Sequence, residues 1–289
     1  MDRLVLGTVQ FGLAYGVSHR GGAVPLDEGR DILALARASG IRMLDTAAAY
    51  GESENVLGEL GSGSFGIVTK TVPIRSGDLG DADLAAIDAG FLRSLMRLRR
   101  DRVAALLVHD ARDLLGRGGE SLWALLERHR AEGRVERIGV SVYDGEEIEA
   151  VVARFPVELI QLPLSVFDQR LVQDGTLDRL AARGIGVHAR SLLLQGLLLM
   201  RADDAPETLR SAVPLLTRWK NMCADAHVTR LEAALAFALA QPIEGLVIGV
   251  HSREHLAECL AAVKQPVSLP WASLACGDED VIDPRRWKQ

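Results

Sequence analysis

Residues 84–109 read LAAIDAGFLRSLMRLRRDRVAALLVH, and this stretch carries the pattern from which the fold is read. Leu84, Ile87, Phe91, Leu95 and Leu98 recur at three- and four-residue spacing, which places them on one face of a helix. The charged cluster Arg99-Arg100-Asp101 stops that pattern, and the aliphatic run Val103–Val108 follows as a short strand. The same unit recurs in both directions. The other strand candidates are Arg3–Leu6, Ile41–Leu44, Phe65–Thr69, Arg137–Val140, Val157–Ile160, Ile185–Val187 and Gly245–Ile248. Further stop signals stand before other strands: Ser39-Gly40, Gly61-Ser62-Gly63, Glu132-Gly133 and Arg183-Gly184. Two extra helices, around Val213–Ala224 and Thr229–Ala240, fall between the seventh and eighth strands.

Eight strands alternating with helices predict an α/β fold with a parallel sheet, and eight is the number that closes a (β/α)8 TIM barrel. An open doubly wound sheet is the alternative, because strand count does not prove closure. No linker or shift in composition divides the chain, so residues 1–289 are read as one domain with a tail after Pro270. The hydrophobic fraction of 48% beside 25% charged residues is that of a globular protein and argues against disorder. A net charge of −6, from 33 basic and 39 acidic side chains, discourages a nucleic-acid partner. The longest apolar stretch, Leu192 to Met200, is broken by Gln195 and Gly196 and is too short to span a membrane. With no export signal in MDRLVLGTVQFG and three scattered cysteines (Cys223, Cys259, Cys276), the chain reads as cytoplasmic with reduced thiols.

In a parallel barrel the loops after the strands carry the active site, so polar residues at strand exits are the candidates. Asp45 closes the second strand, Lys70 the third and His109 the fourth, and Tyr50 follows Asp45 closely enough to reach the same rim. A phenol, with an ordinary pKa of about 10, is a weak acid, and a nearby ammonium favours its phenolate. Asp45 can keep Lys70 charged and aimed, and His109 can donate a hydrogen bond to a carbonyl oxygen as charge develops there. These groups polarise a carbonyl but include no nucleophile for acyl transfer. A hydride from a nicotinamide would complete the reaction.

The segments LGTVQFG, LDTAAAYGESENVLG, IVTK, SLMRLRRDRVAALLVHD and RIGVS resemble the aldo-keto reductase signatures, in order and spacing, from Gly7 to about Cys259. The most specific is D-T-A-x-x-Y-G-x-S-E, at residues 45–54. The resemblance implies a tetrad of Asp45, Tyr50, Lys70 and His109, with Tyr50 as general acid–base, in the reversible reduction of an aldehyde or ketone. It also implies NADP(H) or NAD(H), held by Gly7, Thr8, Ser141, Gln161, Arg190, Ser191, Leu193, Gly196, Gly249, Arg253, His255 and Cys259. Ser141 and Gln161 match the residues that hold the nicotinamide carboxamide, whereas Val142 replaces an asparagine. Arg190 replaces a tyrosine that stacks on the nicotinamide ring, and a guanidinium plane can stack too. His255 replaces an arginine on the 2′-phosphate, with Arg253 close by, and Cys259 replaces an asparagine that reads adenine. Preference between the two dinucleotides is therefore left open.

Two other motifs are read as decoys. GSGSFG at residues 61–66 spells a dinucleotide fingerprint but follows a helix and precedes a strand, the reverse of the required context. His251-Ser-Arg-Glu254-His255 spells an inverted zinc-protease motif, but it begins at a strand exit and no third ligand is evident. His251 and His255 are placed near the adenosine end or in solvent, and His19, His129, His188 and His227 are read as structural or exposed. The expected partner is a small carbonyl or alcohol, possibly sugar-like, with specificity in the loops Phe11 to Gly22 and Pro73 to Asp81 and in the tail. Two rival readings are weighed: a nicotinamide-binding sensor with little turnover, and a barrel lyase or isomerase that uses Lys70 as a Schiff base. The sequence carries no reading of oligomeric state.

Overall fold

The computed structural model describes residues 2–17, 21–75 and 77–287. Its eight strands are β1 (Leu4–Gly7), β2 (Met43–Asp45), β3 (Gly66–Lys70), β4 (Val103–Val108), β5 (Val135–Ser141), β6 (Leu159–Pro163), β7 (Gly186–Arg190) and β8 (Gly245–Gly249). Every neighbouring pair is parallel, and β1 pairs with β2 on one side and β8 on the other, so the sheet closes in sequence order. The (β/α)8 barrel is the observed fold, and the open-sheet alternative is excluded.

Every strand but β4 runs one to three residues past its predicted end. The apolar runs stop at the first polar side chain, whereas the backbone ladder is indifferent to side-chain polarity. Pairing continues through Gly7 and Asp45, through Ser141 and Gln161, and through Pro163 and Arg190. Those polar residues therefore sit on rigid sheet rather than on loops.

Side chains alternate between the two faces of a strand. Val68, Ala105, Leu107 and Leu159 are buried together with Met43 packed against them, and form an apolar plug inside the barrel. Their sequence neighbours Leu44, Ile67, Leu106 and Ile160 face outward into the main core, against the helices. Two residues beyond the plug, the inward face of each strand emerges at the rim. Met43 leads to Asp45, Val68 to Lys70, Leu107 to His109 and Leu159 to Gln161. The period of two thus aims four polar side chains at one point above an apolar floor.

The helix predicted around residues 84–98 spans Asp81–Leu98, with Ile87, Phe91, Leu95 and Leu98 buried. Asp83 Oδ2 accepts from the Gly80 N–H at 2.9 Å and closes its first turn. Its stop is unusual: Arg99 takes the left-handed conformation, φ 54, that glycine adopts at the corresponding Gly133, φ 77. The two extra helices span Val213–Asp225 and Arg230–Leu239. GSGSFG fills the turn between the helix Ser53–Glu59 and β3, its last glycine being the first residue of β3. The described residues of the tail do not line the cleft at the barrel mouth. Trp271 packs on Phe237 with ring centroids 5.6 Å apart, and the Trp287 indole N–H donates to the Asp280 carbonyl. Among the described residues no helix is long and apolar enough to cross a membrane.

Candidate active site

The four polar strand-exit residues meet at the barrel mouth. Lys70 Nζ donates to Asp45 Oδ1 at 2.8 Å and to the Thr46 carbonyl at 2.9 Å, and both side chains of the ion pair are buried. Gln161 Nε2 donates to the other Asp45 oxygen at 2.7 Å. Asp45 is thus saturated from two sides, and Lys70 has one donor left. Tyr50 is brought over this pair by a tight turn: its N–H donates to the Ala47 carbonyl, and its own carbonyl accepts from Ser53 N–H. Ser53 anchors the turn, donating to the Thr8 carbonyl at 2.8 Å. Gly12 is required beside it, because a Cβ there would lie 1.9 Å from the Tyr50 carbonyl. Lys70 Nζ then lies 5.0 Å from the centre of the Tyr50 ring, and the His109 ring stands edge-on to it, centroids 6.0 Å apart.

Burial dominates the electrostatics. Tyr50 is held well above the ordinary phenol range, first by desolvation and then by the Asp45 carboxylate, with Arg190 acting in the opposite sense. The expected lowering of this phenol is not found, and Tyr50 carries its proton at neutral pH. Burial also lowers Lys70, while the Asp45 charge and hydrogen bond oppose it. His109 is pushed down to about 3, by burial first and then by Lys70, Arg190 and Arg75. Its imidazole is therefore neutral, and its Nδ1 is buried without a hydrogen-bond partner among the described residues. At neutral pH the site holds a protonated phenol, a neutral imidazole and an ion pair.

These residues form one end of a cleft of about 520 Å³. The cleft runs from Tyr50, Lys70 and His109, past Ser141, Gln161 and Arg190, to His251, His255, Glu258 and Cys259. Its floor is Gly7, Thr8 and Gly249, where β1 and β8 pair. One wall is the loop after β7, in which Ser191, Leu194, Gln195 and Gly196 all have positive φ, between 45 and 96°. Three such residues other than glycine concentrate strain beside the cleft, a feature of functional loops. The loop after β1 closes over this wall, Val17 N–H donating to the Gln195 carbonyl at 3.1 Å.

A model of the aldo/keto reductase family matches residues 3–269. The chain belongs to the aldo-keto reductase family. It is an oxidoreductase by the same relationship. Two curated relatives come from Bacillus subtilis. The uncharacterized oxidoreductase YtbE is 29% identical over 208 residues, covering 68% of this chain and 72% of the relative. A glyoxal reductase is 27% identical over 198 residues, covering 67% and 69%. An aldo-keto reductase from Bacillus halodurans, solved in its holo form, superposes with a TM-score of 0.76 at 19% identity, covering 99% of this chain and 95% of that one. At that identity the likeness shows the shared fold.

Of the site residues expected in this aldo-keto reductase, all but one line the cleft. The exception is Arg253, which opens the helix Arg253–Ala262 and is exposed. Its backbone N–H donates to Glu28 Oε1 at 2.6 Å, and the residue is not among those that line the cleft. His251 and His255 both line the far end, with ring centroids 6.3 Å apart. Among the remaining histidines, His129 is buried against Asp88 at 2.8 Å, and His188 is buried 3.8 Å from Glu244. His227 is an exposed residue with positive φ, and His19 lies outside the described residues.

Sequence reasoning missed several lining residues: Gln10, Tyr15, Tyr143 and Glu258. Tyr143 was within reach, since it stands two residues after Ser141 at the same strand exit. Tyr15 had no signal, because its place depends on how the loop after β1 folds back.

Proposed function

We propose that this oxidoreductase reversibly reduces an aldehyde or ketone to an alcohol with a nicotinamide dinucleotide, Tyr50 acting as the general acid–base. The observation that carries the reading is a protonated phenol held beside a buried lysine–aspartate pair and a neutral imidazole, at one end of a cleft. The residues also fit the cofactor. Gln161 Oε1 is buried with no hydrogen-bond partner among the described residues, while its Nε2 is committed to Asp45. Such an orphan acceptor is costly unless a ligand meets it. The N–H of a nicotinamide carboxamide answers that need, with Ser141 level with Gln161 on the next strand.

When bound, the reduced nicotinamide supplies the hydride that no side chain here can provide. The protein does the rest. Tyr50 delivers its proton to the carbonyl oxygen, and His109 donates a hydrogen bond that stabilises charge developing there. Lys70 holds positive charge beside the phenolate that Tyr50 becomes, and Asp45 fixes Lys70. The Schiff-base reading is disfavoured because Lys70 is engaged by Asp45 and the Thr46 carbonyl, whereas such a lysine needs to be free and unpaired. The polar groups Tyr15, Tyr143 and Arg190 around the mouth, together with the name of the glyoxal reductase relative, favour a small, oxygen-rich carbonyl substrate.

At the far end, the cleft is lined by His251, His255, Glu258 and Cys259, and the lysine and arginine among its described lining residues, Lys70 and Arg190, stand at the opposite end. The Glu258 carboxylate would disfavour a phosphate held at this end, so we assign NADH as the preferred form.

Tyr50→Phe tests the acid assignment. The variant is expected to bind NADH as the parent does while losing on the order of 10²- to 10⁴-fold in turnover. Full activity in this variant would remove Tyr50 from the mechanism.

A further inference from the structure

Tyr143 lies between two guanidinium groups. On its outer side Arg285, from the tail, sits 3.4 Å from the ring centre, and on its inner side Arg190 sits 4.1 Å away. The two cations differ in one respect. Arg285 is neutralised by a forked pair of hydrogen bonds to Asp283, at 2.6 and 3.0 Å. Among the described residues Arg190 donates only to the Val142 carbonyl at 3.1 Å and, at 3.4 Å, to the Ser191 hydroxyl. Among the described residues no carboxylate lies within 4.0 Å of it. The carboxylate at this end of the cleft, Asp45, is already saturated by Lys70 and Gln161. The catalytic end of the cleft therefore holds one positive charge in excess, on Arg190.

That charge is fixed in place. Its guanidinium is stacked on Tyr143 on one face, is tethered to Val142, and borders the cleft. Arg190 ends β7 two residues beyond His188, which pairs with Gln161, so it stands on the strand next to the orphan carboxamide acceptor. The oxidised nicotinamide ring carries a positive charge and the reduced ring is neutral. A low-dielectric wall bearing an unpaired cation distinguishes the two. We propose that Arg190 sets the redox preference of the cofactor site, so that the protein binds the reduced dinucleotide more tightly than the oxidised one.

This inference rests on the dinucleotide reading above. Its consequence is directional. Carbonyl plus reduced dinucleotide plus a proton gives alcohol plus oxidised dinucleotide; the hydride goes to carbon, the Tyr50 proton to oxygen, and the new positive charge stays on the ring. Tight binding of the reduced form loads the site for reduction, and weak binding of the oxidised form speeds its exchange. Tyr143 and Arg285 act as the backing that holds Arg190 in position, which gives the tail a link to the active site although its described residues line no part of the cleft.

The test is binding rather than turnover. NADH and NAD+ are titrated separately into the parent protein, Arg190→Gln and Arg190→Lys, with calorimetry and protein fluorescence as readouts. The parent is expected to bind NADH about tenfold or more tightly than NAD+, a ratio equivalent to about 1.4 kcal/mol. Arg190→Gln is expected to bring the two dissociation constants within about threefold, chiefly by tightening NAD+, and Arg190→Lys to keep most of the bias. Equal binding of both forms by the parent overturns the inference and leaves the dinucleotide reading standing. Loss of affinity for both forms alike in Arg190→Gln overturns it too, since that is the signature of a stacking surface without charge discrimination. Failure of the parent to bind either form ends the dinucleotide reading itself.

Discussion

Replacing Asp45 by Asn gives the sharpest physical test of the site, because it strands a buried cation without removing any volume. The Lys70–Asp45 pair is 2.8 Å long, with side chains only 1% and 4% exposed. At an effective dielectric constant of about 20, that separation corresponds to an attraction of about 6 kcal/mol, part of which offsets desolvation. Losing the carboxylate charge leaves Lys70 two options. It stays charged and unpaired, at a cost typical of a broken buried pair, about 3–5 kcal/mol. Alternatively it sheds its proton. An unfolded lysine releases its proton near pH 10.4, so doing so at pH 7 costs about 4.6 kcal/mol. The cheaper route sets a loss of about 4 kcal/mol at pH 7, a large fraction of the stability of an ordinary domain.

The pH dependence separates this cause from a packing defect. Burial lowers Lys70, and Asp45 opposes that lowering. Without Asp45 the folded variant binds fewer protons than its unfolded chain from neutrality up to about pH 10.4, so its stability rises with pH over that range. Guanidinium denaturation followed by circular dichroism at pH 7 and pH 9 should show the gap to the parent shrink from about 4 to about 2 kcal/mol. Adding Lys70→Met to Asp45→Asn should recover most of the loss at pH 7, because the stranded charge is then gone. A deficit under about 1 kcal/mol at pH 7, or a deficit that does not change between pH 7 and pH 9, would refute the reasoning.

Two further outcomes follow from the same geometry. With Tyr50 held above its ordinary range and His109 pushed down to about 3, neither group titrates between pH 5 and 9. Steady-state carbonyl reduction should therefore be flat across that interval, while alcohol oxidation, which needs the phenolate, rises close to tenfold per pH unit. An inflection in the reduction profile between pH 6 and 9 would show that another group carries the proton. At the far end of the cleft, Glu258→Arg should raise the affinity for NADPH at least tenfold, with little change for NADH, in fluorescence titrations. A variant that still rejects NADPH would place the 2′-phosphate elsewhere.

Much of the site was legible because its residues are tied to the strand period. Asp45, Lys70 and His109 each follow an apolar run, and in a barrel that position alone directs them to one rim. Tyr143 and Arg190 share that placement, yet nothing in the sequence pairs them, because they come from strands that are not neighbours. Arg253 illustrates the opposite error. Proximity in sequence to His255 suggested a ligand contact, but Arg253 opens the helix as an exposed residue and does not line the cleft.

The order of apolar runs and stop signals was enough to specify eight strand–helix units and the chemistry at three strand exits. Both are local consequences of side-chain periodicity and of where polarity interrupts it. Tertiary structure alone decided closure, the register that places Gly7 beside both Asp45 and Gly249, and the charge balance of the cleft. Those depend on which distant groups come within a few ångströms of each other and how far water is excluded. The protonation of Tyr50, the neutrality of His109 and the uncompensated charge on Arg190 are properties of that shared environment, and no single stretch of chain contains them.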